Sequence, residues 1–163
     1  MFRRFSKRLL LLAALSSVTI LLWPVTCLTA RSDGKLLFAW PIRAGESFEV
    51  TFMHSLNLSP VTDVIEWTGS DLVVRKSVFY TFGAGIPSPS DGVGTELIFM
   101  DGRYELVGID THMQNFAIMT QDIPNHRIIL GGREAFLLQL AGSGQLIVIE
   151  VRQIPLVVRL LPL

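Results

Sequence analysis

Apolar and polar positions follow two regimes along this chain. From Leu9 to Ala30 an apolar run of 22 residues carries no charge. Wound as one helix it is roughly 33 Å long, enough to cross a hydrocarbon core. After Arg31 helical periodicity fades, and short apolar runs alternate with turn signals as in all-β domains. The pattern predicts strands over 36–41, 46–56, 61–68, 71–82, 96–100, 103–111, 115–121, 126–131, 135–140 and 146–152. Many are rich in Val, Ile, Phe or Thr, which suit a pleated, half-buried surface. The expected molecule has an N-terminal anchor over residues 1–31 and an exported all-β domain over residues 32–163. That domain is a single antiparallel sandwich or open barrel of about 8–10 strands, behind one transmembrane or signal helix.

The sharpest local signal is Asp101-Gly102 between two strand patterns, which predicts a two-residue type I′ turn. That turn pairs Met100 with Arg103, Phe99 with Tyr104, Ile98 with Glu105 and Leu97 with Leu106. Leu97, Phe99, Tyr104 and Leu106 then share the face expected to meet the core. In 46–56, Phe48, Val50 and Phe52 point one way and Glu49, Thr51 and Met53 the other, with His54 continuing the apolar phase. Residues 83–95 hold four glycines and two prolines in thirteen positions, so they form a loop. Long loops on β scaffolds often carry function. The apolar tail 154–163, with Pro155 and Pro162, suits an edge strand or a surface packed on a membrane or partner.

Charge adds an address. Arg3, Arg4, Lys7 and Arg8 form a basic head ahead of the apolar run, and such a head stays in the cytoplasm. The following domain is expected on the periplasmic side of a bacterial cytoplasmic (inner) membrane, held by a single pass. A cleaved and secreted form is the alternative. Val25-Thr26-Cys27 and Leu28-Thr29-Ala30 fit a cleavage site only loosely. Lipidation of Cys27, the single cysteine, has a poor flanking sequence. Residues 32–163 hold nine basic and fourteen acidic side chains, a net charge of −5, which argues against nucleic acid. A domain without cysteine beyond residue 31 has no internal disulfide and relies on its core.

No residue cluster declares an enzyme. Asp110 and His112 share a strand face and, with His54 and Asp63, would make a mixed metal site only if the fold joined them. His54 and Ser55 are strand neighbours and point apart, and no Gly-x-Ser-x-Gly elbow occurs. Gly83-Ala84-Gly85 is followed by Pro87 and Pro89, so no helix starts there to cradle a phosphate. The plain reading is a glycine-permitted turn.

Three phrases occur in a fixed order: His54-Ser55 with Pro60-Val61-x-Asp63; Phe79-Tyr80-x-Phe82-Gly83-Ala84-Gly85-Ile86-Pro87; and His126-Arg127-Ile128-Ile129-Leu130-Gly131-Gly132-Arg133-Glu134. Together, over roughly residues 36–152, they resemble the small exported family called domain of unknown function 1850. The family's phrase after Pro-Val usually has glutamate where this chain has the shorter Asp63. The resemblance implies a context, since genes of this family sit beside those of TAXI-type TRAP (tripartite ATP-independent periplasmic) transporters. It carries over no catalytic residue, metal or cofactor.

The leading expectation is a non-enzymatic, membrane-tethered accessory protein of such an ion-coupled uptake system. Its partners would be the TRAP-type permease, the solute-binding protein or both. The alternative is an independent periplasmic small-ligand or peptide-binding module. A deep apolar pocket with convergent polar groups under 83–95 favours the module, and a featureless apolar patch favours the subunit. The expected ligand- or partner-binding residues are His54, Ser55, Asp63, Gly83, Gly85 and Pro87, with Asp63 holding either the loop or a ligand.

Overall fold

The structure is a computed structural model that describes residues 15–83, 85–86 and 88–160, with the side chains of 159 and 160 outside the description. Pro87, one of the expected site residues, lies outside the described residues. Among them, eleven strands form two antiparallel sheets. The small sheet has the order β2(Lys35–Pro41), β1(Pro24–Ser32), β11(Leu146–Pro155), β8(Asn115–Met119). The large sheet has the order β10(Arg133–Phe136), β9(Arg127–Leu130), β3(Glu46–Met53), β4(Pro60–Trp67), β5(Leu72–Phe79), β7(Arg103–Met113), β6(Glu96–Met100). One apolar cluster joins Leu28, Phe38, Ile147 and Ile149 of the small sheet to Phe48, Val50, Ile65, Leu72 and Ile128 of the large one. The fold is therefore all-β, a sandwich of two sheets around a shared core.

The N-terminal apolar run does not form one helix. Residues 15–21 are helical, but Pro24–Ser32 is a strand paired with β2 on one side and β11 on the other. Proline lacks the amide a helix interior needs and is tolerated as the first residue of a strand, so Pro24 marks the change. The β domain thus begins at Pro24 and not at residue 32. Cys27, Leu28, Thr29 and Ala30 are fully buried because β1 has covered faces on both sides. Leu28 and Ala30 face the shared core, while Cys27 packs with Ala39, Ile154 and Val158 on the opposite face. Among the described residues no helix is long and apolar enough to cross a membrane. Residues 9–14 of the expected span lie outside the described residues.

The Asp101-Gly102 hairpin has the expected register throughout. Both turn residues have positive φ, 54° and 77°, as a type I′ turn requires. Leu106 is buried, whereas Phe99 near the tip is exposed and rests on Tyr104. Two other expectations change. Residues expected as a strand over 135–140 divide into β10 and a short helix, Leu137–Ala141. The expected strand 46–56 stops at Met53, because His54–Leu58 closes into a turn through the Leu58 amide and the His54 carbonyl (2.9 Å).

A four-stranded sheet covers only part of a seven-stranded one. The uncovered part of the large sheet carries a second cluster of Val61, Phe79, Ile86, Leu106 and Ile109, with Phe52, Val74 and Val93 packed against it. Its lid is the 80–95 segment, which contributes Ile86 and Val93. The functional question centres on the space beneath that lid.

Candidate functional site

A cavity of about 420 Å³ lies between the large sheet and the 83–95 segment. Its walls are mostly apolar: Phe52, Val61, Val74, Ile86, Val93 and Ile109. Polar groups converge on it from His54, Ser55, Asp63, Ser77, Thr111 and His126. Of the expected site residues, His54, Ser55, Asp63 and Gly85 line it together. Gly83 does not, and acts through the loop.

Strand phase explains how Asp63 arrives there. Val61 and Ile65 are buried on the core-facing side of β4, and Asp63 lies in phase between them. A carboxylate is thus placed where the pattern calls for an apolar residue. Its cross-strand partner on β5 is Ser77, in phase with buried Phe79. Burial pushes the Asp63 carboxyl above the usual carboxylate range, and the Ser77 hydroxyl beside it offsets part of that rise. Ser77 is itself almost fully buried, and although its hydroxyl is near enough to favour the charged carboxylate, its Oγ makes no hydrogen bond of good geometry among the described residues.

His54 ends β3. Its Nδ1 accepts from the backbone amides of Leu56 (3.3 Å) and Asn57 (3.5 Å), which shapes the 54–58 turn. His126 packs against Phe52 with tilted rings whose centroids are 5.2 Å apart. Its Nδ1 is buried without a partner among the described residues, and burial holds its pKa below the ordinary value. Asp63 is the one carboxylate in the lining, which holds no lysine or arginine.

The lid is fastened from the 54–58 turn. Asn57 Nδ2 donates to Thr81 Oγ1 (3.0 Å), the Thr81 carbonyl (3.4 Å) and the Phe82 carbonyl (3.2 Å). Ser59 and Thr81 hydroxyls meet at 2.8 Å. Gly83 permits this approach, since a Cβ there would stand 2.7 Å from Asn57 Nδ2. The Ile86 amide then donates to the Gly83 carbonyl (3.1 Å), and Gly85 adopts φ +86° so that Ile86 turns into the apolar cluster. The side chain that fastens the loop is thus Asn57, and the cross-strand neighbour of Asp63 is Ser77.

His112 is elsewhere. Its Nδ1 bonds the Asp71 carboxylate and its Nε2 lies 3.5 Å from Asp110, as the shared strand face predicts. Among the described residues no three His, Cys, Asp or Glu side chains gather as metal ligands. The sequence reading missed Ser77 and the placement of His126. Ser77 carries a legible signal, a polar residue in phase with Phe79. His126 carries none, because it lies just before β9, a strand not adjacent to β4 or β5.

The three sequence phrases meet here. The first supplies His54, Ser55, Val61 and Asp63, the second Gly85 and Ile86, and the third His126. The rest of the third phrase builds the β9–β10 hairpin through Gly131-Gly132, with Arg127 and Glu134 paired at 2.8 Å. The family described as "Domain of unknown function (DUF1850)" matches residues 48–137, more than half of the chain, and the chain belongs to it. No curated protein and no solved structure matches the chain.

Proposed function

We propose that this member of the family is a small-ligand-binding module whose site is the cavity under the 83–95 lid. The observation that carries the reading is the convergence of all three phrases on one cavity of about 420 Å³. It has the make-up of a small-molecule site, apolar walls with a few placed polar groups. A buried Ser77 Oγ and His126 Nδ1, without hydrogen-bond partners among the described residues, supply unused hydrogen-bonding capacity. Leaving such groups unmet costs about 1–3 kcal/mol each, which a bound polar group recovers.

The cavity carries its own probes in the methyl groups of Val61, Val74, Ile86, Val93 and Ile109. Isoleucine- and valine-methyl NMR of the full chain in mild detergent, titrated with the neutral compound 2-phenylethanol, tests the reading. Saturable shifts confined to these methyls are expected, and they should vanish in Thr111→Trp, which plugs the cavity from an exposed position. Shifts absent there, or equally strong in the plugged variant, would refute the site.

A second reading, an accessory role beside a TRAP-type permease, draws support from the opposite end of the molecule. Pro24 pairs with Pro155, so both ends of the chain leave the small sheet together, and the Leu156 amide bonds the Trp23 carbonyl (3.0 Å). Leu15, Val18, Ile20, Leu22 and Trp23 are exposed there, a surface suited to a bilayer. Both loosely fitting cleavage sites fall inside β1, so cutting at either would remove part of a central strand. This supports a retained tether, with the ligand site held near the membrane. Co-purification with a permease in mild detergent tests the partnership, and normal uptake without the protein would count against it.

A further inference from the structure

We propose that the cavity takes a protonated amine carried on an apolar body, with Asp63 as its counter-ion. This rests on the ligand-binding reading above and names the class of ligand. The lining holds one carboxylate and no lysine or arginine. The two histidines that line it are engaged by other groups. His54 accepts backbone amide bonds at Nδ1, and His126 is buried against Phe52.

A carboxylate on the core side of a sheet, facing apolar walls, is costly unless a cation or strong donor meets it. Ser77, its cross-strand neighbour, offers one hydroxyl with a free lone pair, which suits an ammonium N–H beside the carboxylate. An ammonium has three donors, and Asp63 and Ser77 lie on adjacent strands where one nitrogen can meet both. The apolar remainder of such a ligand would sit among Val61, Ile86 and Ile109. An anionic ligand would face Asp63 with no compensating cation in the lining, and a neutral one would leave the carboxylate unpaired.

Three probes of one shape and different charge decide the matter: 2-phenylethylammonium, 2-phenylethanol and phenylacetate. Each is titrated at pH 7 into the methyl-labelled full chain. The affinity order expected is ammonium, then alcohol, then carboxylate, with at least tenfold between the first and last. Asp63→Asn should weaken the ammonium at least tenfold while leaving the alcohol within about twofold. Asp63→Glu, which keeps the charge, should keep the order. Phenylacetate binding as tightly as the ammonium, or an unchanged ammonium affinity in Asp63→Asn, would overturn the amine class while leaving the alcohol-binding site standing. No saturable shift with any probe would overturn the site and the amine class together.

Discussion

Asp63 illustrates how one side chain sets stability against binding. Its carboxyl is pushed up by burial, so the folded state holds its proton more tightly than the unfolded chain does. Stability from this group therefore falls as pH rises from the ordinary carboxylate range through the raised folded value. Asp63→Asn should melt higher than the parent at pH 7, and the difference should narrow toward pH 4. A lower melting temperature at pH 7 would show that the carboxylate is compensated inside the protein. The His112–Asp71 pair behaves in the opposite sense on its acid side. The Thr68 hydroxyl and His112 hold Asp71 down to about 2, and Asp71 holds His112 above its ordinary value. Its contribution is complete between the ordinary carboxylate and imidazole values, is lost as pH falls toward about 2, and is lost as pH rises through the raised histidine value. Thermal melts of His112→Gln should differ from the parent at pH 5 and coincide with it at pH 9. Gly83 and Asn57 act as one unit. Gly83→Ala should displace Asn57, cost about 1–2 kcal/mol by urea unfolding and speed hydrogen exchange across 80–95. Adding Asn57→Ala should then change little, because both variants remove the same bonds.

At the scale of elements, the Asp101-Gly102 hairpin was legible to the residue because turn chemistry and alternation agree there. β1 was not. A strand buried on both faces reads as an unbroken apolar run, and this one follows directly on an apolar helix. Pro24 was the only punctuation. The cavity was half legible: Asp63 sits in the apolar phase of β4, and the glycine-rich lid stands out in composition. Ser77 shows as a polar residue in phase with Phe79, but its pairing with Asp63 was hidden by irregularities of register at Val64/Ile65 and Val74/Lys76, and His126 was hidden by strand order, which no local pattern encodes. The place of β1 has a direct consequence. A chain starting at residue 24 should fold cooperatively, whereas one starting at residue 32 should not. Losing a central strand with Leu28 and Ala30 removes more than a typical domain's net stability of about 5–15 kcal/mol. In the folded chain Cys27 should stay silent to Ellman's reagent and react only on unfolding. Rapid reaction in the native state would contradict the strand.

The whole molecule has two differentiated ends. At one, both chain termini leave the small sheet beside exposed apolar residues. At the other, the uncovered part of a seven-stranded sheet is roofed by a glycine-rich lid over a cavity with a single carboxylate. Fifteen uncharged residues, Leu9 to Trp23, precede β1. The central claim concerns the other end, that the three phrases are brought together to hold a small ligand. A crystal structure of the chain grown with 2-phenylethylammonium tests it most directly. The account predicts the ring among Val61, Ile86 and Ile109 and the nitrogen within hydrogen-bond reach of Asp63. A cavity filled by the protein's own side chains, or the probe bound only elsewhere, would contradict it.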